Sequence, residues 1–284
     1  MSAYFCIPSK RPMEEMNACL SAWREMGYKT AVMRETGDGY PGDTFVLPTH
    51  SYIGWARSTN LLIGAVMAND PDAEWFVGGG DDYFPDPTKT ADEIAHECAV
   101  HFLSNGGDYA YCHASGRDKS LFGVMQPTGD RWSEGRCTTC SGTGSIYTAV
   151  TVLCPDCQGK GRSAVIDRIA GSPWMGREFC RRMYHGSGPM YNGYYHNFAD
   201  EELQNVARKL GVFWQRRDLV QWHRHWAAAR PKSATHTGLS GDVRNMPAWA
   251  EKINDPKQSD WDKSKALFAK RKAAGFPGHE PLEV

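Results

Sequence analysis

Trp75-Phe76-Val77-Gly78-Gly79-Gly80-Asp81-Asp82-Tyr83-Phe84-Pro85-Asp86-Pro87 is the stretch around which the chain is organised. The apolar run at its start reads as a short buried strand stopped by three glycines. Two adjacent carboxylates follow where that strand would leave a sheet, and open α/β sheets take ligands outside the carboxyl ends of their strands. Neighbouring side chains of an extended backbone point opposite ways, so one aspartate can face a metal and the other a sugar hydroxyl or a basic group. Carboxylate oxygens are hard ligands that suit Mg²⁺ or Mn²⁺, with substrate phosphates completing the shell. The competing reading is a solvated turn, since Asp after Gly is common in loops.

Upstream of this stretch, residues 4–7 read as a strand that ends in the turn Pro8-Ser9-Lys10-Arg11-Pro12. Met13, Met16, Leu20 and Trp23 recur at helical spacing and Gly27 stops the run, which predicts a helix over 13–26. Strands are expected at 30–33 and 45–47, and a helix over 56–69. Downstream, Thr90-Ala91-Asp92-Glu93 is a capping-box pattern that opens a helix reaching about residue 101, followed by a strand at 109–112. This alternation predicts a mostly parallel sheet wrapped by helices. Further on, a helix is expected from 177 to about 184, another over 200–210, and a final strand at 212–214.

The chain has 284 residues, enough for one large domain or two small ones, and a formal net charge of -1. Near-neutrality gives no global pull towards nucleic acid or membrane, so a polyanionic partner needs a local patch. No apolar run reaches the length of a membrane span, and the first residues lack the apolar segment of a signal peptide. With nine cysteines in such a chain, thiols and metal are expected rather than disulfides, in a cytoplasmic α/β protein.

Cys137-Thr138-Thr139-Cys140-Ser141-Gly142-Thr143-Gly144 and Cys154-Pro155-Asp156-Cys157-Gln158-Gly159-Lys160-Gly161 are two copies of C-x-x-C-x-G-x-G. Four thiolates in paired C-x-x-C turns make a closed tetrahedral zinc site at Cys137, Cys140, Cys154 and Cys157. The glycines permit positive φ and turn backbone N–H groups towards sulfur. The β-prone segment 146–153 between them predicts a small zinc ribbon. The repeats resemble those of DnaJ-type chaperones over residues 137–161 alone, with two copies where that family has four, and the chain has no His-Pro-Asp tripeptide.

Taken in order, the motifs resemble those of GT-A fold glycosyltransferases, nearest to family 2 and to phage enzymes of that shape. The resemblance runs from residue 4 to 226, less the zinc insertion. It implies that Pro8, Ser9, Lys10 and Arg11 cup the nucleotide, with Arg57, Asn60 and Asp81 also on the donor, and that Gly80-Asp81-Asp82 stands for the DxD metal motif. Gly80 occupies the place where the first acid often falls, so Asp81 and Asp82 share its roles. Phe198-Ala199-Asp200-Glu201-Glu202-Leu203 with Arg208 is similar to the acidic helix start of the family's acceptor half. A later histidine, His223 or His225, would complete the shell of Mn²⁺ or Mg²⁺.

The implied fold is a GT-A, Rossmann-like sheet with an inserted zinc ribbon and an irregular C-terminal tail. The implied division is a nucleotide-sugar half (1–115), a connection (116–136), the zinc insertion (137–161), an acceptor half (162–226) and an extension (227–284).

A cation at Asp82 would offset the charge developing on a leaving diphosphate, with Lys10, Arg11 or Arg57 adding to it. Asp200 is the first candidate for general base and Glu178 the second, although Asp200 reads equally as a helix N-cap. His223 and His225 alternate across a strand, so one of them reaches the site, preferably His225. The expected donor is a UDP-sugar. The expected acceptor is a hydroxymethylated pyrimidine in double-stranded DNA, which ten tryptophans, twelve tyrosines and the basic stretch 263–272 would suit. Rival readings are a cell-surface glycan or protein acceptor, a nucleotidyltransferase, and a non-catalytic zinc module that binds nucleic acid or protein.

Overall fold

Five consecutive buried residues, Ala3 to Ile7, mark the first strand as covered on both faces, which is why it reads as an apolar run without alternation. This strand, β1 (Ser2–Pro8), pairs in parallel with β2 (Lys29–Glu35) on one side and β4 (Ala73–Val77) on the other. The helices α1 (Met13–Glu25) and α2 (Trp55–Asn69) make the crossovers, and β3 (Phe45–Thr49) forms the edge beyond β2, where Pro48 is tolerated. The computed structural model describes residues 1–105, 117–129, 140–141, 143–147, 150–154, 159, 161, 171–223 and 260–282.

Beyond β4 come β5 (Tyr83–Phe84), α3 (Ala91–Asn105), the single turn α4 (Arg117–Ser120) and β6 (Val124–Gly129). A separate hairpin joins β7 (Ser145–Tyr147) to β8 (Thr151–Leu153). Then follow β9 (Trp174–Gly176), α5 (Arg177–Gly186), α6 (Ala199–Lys209), β10 (Phe213–His223) and α7 (Trp261–Ala273). The main sheet has eight strands in the order β3-β2-β1-β4-β9-β6-β10-β5, and six run the same way. Only β9 and β5 run against them. The architecture is therefore a mainly parallel sheet flanked by helices.

Alternation of side chains along β1 feeds two cores. Phe5 and Ile7 face α1 and α3, with Phe5 stacked on Trp23 at 4.0 Å between ring centroids. Tyr4 and Cys6 face α2, α5 and α6, among Ile63, Phe76, Phe179 and Leu203. The expected capping box is present: Thr90 N donates to Glu93 Oε2 at 2.8 Å and Glu93 N to Thr90 Oγ1 at 3.4 Å. Cys6, Cys19, Cys98 and Cys180 lie buried in the core.

Several elements differ from the sequence reading, among them the strands β5 and β6, which it did not expect. The segment expected as a plain loop before residue 177 contains β9, which runs antiparallel between β4 and β6. The final strand is longer than 212–214, running to His223 with a register break between Arg216 and Val220. The tail expected to be irregular forms α7, whose Phe268 and Arg271 are buried. The strand expected at 109–112 lies outside the described residues.

The three-residue β9 fits only because Gly176 has no side chain, since a Cβ there would lie 2.0 Å from Leu121 O. Backbone cannot yield as a side chain can. Gly176→Ala is expected to cost about 1–3 kcal/mol, the range for overpacking. A thermal melt checks this, and an unchanged midpoint would show that β9 is not pinned against residue 121.

Candidate active site

Because β1 and β4 are parallel neighbours, the turn after one meets the glycine-aspartate turn after the other. Ser9 Oγ donates to Asp81 Oδ2 at 2.6 Å, and Arg11 Nε donates to Asp81 Oδ1 at 2.5 Å. The same guanidinium reaches Asp82 Oδ2 at 3.4 Å through Nη2 and Glu15 Oε2 at 3.1 Å through Nη1. Arg11 and Asp82 are only 8 % and 6 % exposed, so this cluster is buried at the carboxyl ends of two adjacent strands. Gly79 has φ +153, and a Cβ on Gly80 would lie 2.8 Å from Asp82 Oδ1. A side chain at position 80 would therefore have to shift the Asp82 carboxylate.

Burial raises the Asp81 pKa, Arg11 opposes that shift, and the Asp82 charge adds to it, with a net rise. Burial also disfavours the Arg11 cation, but Asp81 and Asp82 outweigh it and hold the guanidinium charged. The Arg11 guanidinium is thus shared by both buried carboxylates.

One wall of the site comes from the loop 187–198, fastened to α2 at three points. Trp55 N donates to Tyr195 O at 2.6 Å, and Gly54 (φ +101) lets the strands of chain touch, since a Cβ there would lie 2.5 Å from Tyr195 O. Arg57 Nε donates to Asn192 O at 2.8 Å. Asn60 Nδ2 donates to Met190 O at 2.7 Å and Asn192 Oδ1 at 2.9 Å, while its Oδ1 accepts from Met190 N at 3.1 Å. Arg57 and Asn60 therefore brace the loop rather than point freely into the cleft.

Between these anchors the loop delivers Tyr195 and His196. The His196 Nδ1 and Tyr52 Oη lie 3.0 Å apart, and the Tyr52 and Tyr195 rings meet edge to face at 5.5 Å. Burial lowers the His196 pKa, and the Asp82 charge partly restores it. Burial raises the Tyr52 pKa, with Tyr195 and Asp81 adding to the effect. His196 and Tyr52 are thus in the field of the aspartate pair. The sequence signal for His196 was only the Gly/Tyr/Asn-rich composition of 185–196, and Tyr52 carried none. A histidine titration by NMR is expected to place His196 below the ordinary value of about 6.5. The unfolded chain then binds a proton that the folded chain refuses, so His196 favours folding less as pH falls through about 6.5.

The other expected site residues divide. Pro8 ends β1, and Lys10 Nζ, exposed, pairs with Glu35 Oε2 at 2.8 Å, while Glu35 Oε1 accepts from Tyr52 N at 3.1 Å. Asp200 lies in the first turn of α6, and Glu201 N donates to its Oδ1 at 3.0 Å. Because α6 runs back to the start of β10 through a short turn, that first turn lies towards the carboxyl ends of the parallel strands. Burial raises the Asp200 pKa, with the Glu201 N–H opposing.

Glu178 lies apart from the aspartates. The β9 register, with Val77 opposite Trp174 and Trp75 opposite Gly176, sends the chain away from them before α5 begins. There the Arg181 Nη2 donates to Glu178 Oε2 at 2.6 Å, at the opposite end of β4 from Asp81 and Asp82.

The backbone of His223 pairs with Tyr83, the residue after Asp82, which puts the end of β10 beside the site. His225 lies outside the described residues, as do Cys137 and Cys157. In the hairpin unit, Gly144 N donates to Cys140 Sγ at 3.2 Å, and Cys140 and Cys154 are buried together against Ile146. Gly144 (φ +81) would carry a Cβ 2.3 Å from Gly159 O, so these two glycines, one from each repeat, lie against each other. Among the described residues no three His, Cys, Asp or Glu side chains are grouped to hold a metal ion, and no helix is long and apolar enough to cross a membrane.

No protein-family model matches the chain, and no curated protein matches it. Solved structures do. A Bacillus anthracis protein assigned as a glucose-1-phosphate thymidylyltransferase, in complex with sucrose, aligns at 11% identity and TM-score 0.42, covering 91% of this chain and 98% of that one. A mutant Drosophila β-1,4-galactosyltransferase 7 in complex with manganese, UDP-Gal and xylobiose aligns at 12% identity and TM-score 0.37, covering 87% of this chain and 82% of that one. A glycosyltransferase involved in glycosylating the major capsid of PBCV-1 aligns at 9% identity and TM-score 0.28, over 63% of this chain and 61% of that one. These are likenesses of chain trace.

Proposed function

We propose that this chain is a metal-dependent glycosyltransferase of GT-A architecture, moving a sugar from a nucleotide-sugar donor to an acceptor hydroxyl. The observation that carries this is the buried Asp81–Asp82 pair at the end of β4, set against Ser9 and Arg11 from the end of β1. The donor set fits Mn²⁺ or Mg²⁺, because carboxylate oxygens are hard ligands suited to those cations and two of them stand side by side here. Asp82 and Asp81 would hold the cation, with His196 and the end of β10, His223 or His225, as neighbours able to add a ligand. When bound, the cation offsets the charge that develops on the departing diphosphate.

The chain's own residues do the rest. Arg11 is the group able to turn from the carboxylates to a diphosphate, and Lys10 is a second cation at the same turn. Arg57 and Asn60 act on the donor side through the loop they brace. Asp200, with its raised pKa, is the candidate to take the proton from the acceptor hydroxyl in an inverting transfer. Cys137, Cys140, Cys154 and Cys157 would close a tetrahedral zinc site, a role supported by the shared burial of Cys140 and Cys154 and the close approach of Gly144 to Gly159. The acceptor reading is hydroxymethylated pyrimidine in duplex DNA. Binding that weakens steeply with salt supports it, and absence of binding at low salt contradicts it.

A second reading has its own observation. Arg11 bridges both aspartates, as a purely structural ion-pair cluster would. Mn²⁺ titration of Arg11→Gln separates the two. The transferase reading expects Mn²⁺ alone to bind about tenfold tighter, since a competing cation worth about 1.4 kcal/mol is gone, while UDP binds more weakly. A structural cluster expects loss of stability and no Mn²⁺ binding in either protein.

A further inference from the structure

The loop that brings Tyr195 and His196 to the aspartates is held on its far side by the C-terminal helix. Glu202 of α6, fully buried, accepts from Tyr194 Oη at 2.8 Å and from Tyr184 Oη at 2.9 Å. Arg271 of α7 meets the same carboxylate through Nε at 2.8 Å and Nη2 at 2.7 Å. Its guanidinium also lies 3.5 Å from the centroid of the Tyr191 ring, and Nη2 donates to Pro277 O at 3.0 Å. At the loop's end Phe198, in the left-handed region at φ +72, packs on Trp261 at 4.9 Å and Phe268 at 5.5 Å between centroids. Tyr191, Tyr194 and Phe198 thus rest on α7 or on the carboxylate that α7 completes, while Tyr195 and His196 between them face the site.

We infer that α7 is a clasp that fixes the active-site loop, and that Arg271 is a positioning residue acting through Glu202 and Tyr194 on His196. This rests on the transferase reading of the site. An ion pair that only stabilised the fold would lower the melting point and leave the loop and the turnover of folded protein alone. Full-length Arg271→Gln and Arg271→Lys test the difference well below their melting points.

In Arg271→Gln, amide exchange over 188–198 is expected to rise about tenfold or more while exchange in β1 and β4 stays within about twofold. Its kcat is expected to fall about tenfold or more, with the donor KM within about threefold, because misplacement by about 1 Å costs turnover more than binding. Arg271→Lys should recover part of both. Unchanged loop exchange, or faster exchange with unchanged kcat, overturns the clasp. If the wild type transfers no sugar, the transferase reading falls, and the exchange experiment alone decides whether α7 holds the loop.

Discussion

Asp82→Ala is expected to abolish Mn²⁺-dependent release of nucleoside diphosphate, with a loss of about 10³-fold or more. The size follows from the role: a metal at a developing diphosphate contributes several kcal/mol to the transition state. Each ~1.4 kcal/mol is a factor of ten in rate. The fold should survive, because removing Asp82 also relieves like-charge repulsion with Asp81, and Arg11 keeps Asp81, Ser9 and Glu15 as partners. A near-wild-type melting curve with turnover lost is the expected pair of results, measured by coupled nucleotide release. Retained turnover in a folded Asp82→Ala protein would remove Asp82 from the mechanism.

Glu202→Ala is expected to damage the fold itself. The carboxylate is fully buried and is the shared acceptor of Arg271, Tyr184 and Tyr194. Its loss leaves a buried guanidinium without its carboxylate, which costs about 3–5 kcal/mol. For a chain of this size that corresponds to a drop in melting midpoint on the order of 10 °C, at about 2–4 °C per kcal/mol. Denaturant unfolding measures the same quantity, and a loss within about 0.5 kcal/mol, the scale of ordinary surface substitutions, would mean that the cluster is not a centre of stability.

The sheet was legible where burial on both faces writes a strand as an apolar run, as in β1 and β4. The capping box of α3 was legible because its signal is local. What escaped was set by distant contacts. The three residues of β9 carry no alternation, follow a proline and end in a glycine, so nothing local marks them as a strand. Glu178 drew notice because it heads a helix, whereas the β9 reversal puts that helix start at the opposite end of β4 from Asp81 and Asp82. In α7 the apolar positions are few among lysines, and the buried anchor is an arginine whose partner lies in α6. The aspartate turn and the Ser9–Arg11 turn were both legible, whereas their pairing through Arg11 needed the parallel register of β1 and β4. His196 has no motif at all, because it reaches the site on a loop that Gly54, Arg57 and Asn60 pin to α2.

The central claim is that the paired turns after β1 and β4 form a nucleotide-sugar and metal site. It is tested most directly by titrating the wild-type protein with a panel of nucleotide sugars, UDP-sugars first, with and without Mn²⁺. Saturable binding of at least one donor is expected, strengthening about tenfold or more when Mn²⁺ is present, since a cation held by Asp81 and Asp82 would offset the charge of the donor's phosphates. No binding of any nucleotide sugar with Mn²⁺ present would contradict it, and would leave Asp81, Asp82 and Arg11 as a buried ion-pair cluster that holds two turns together.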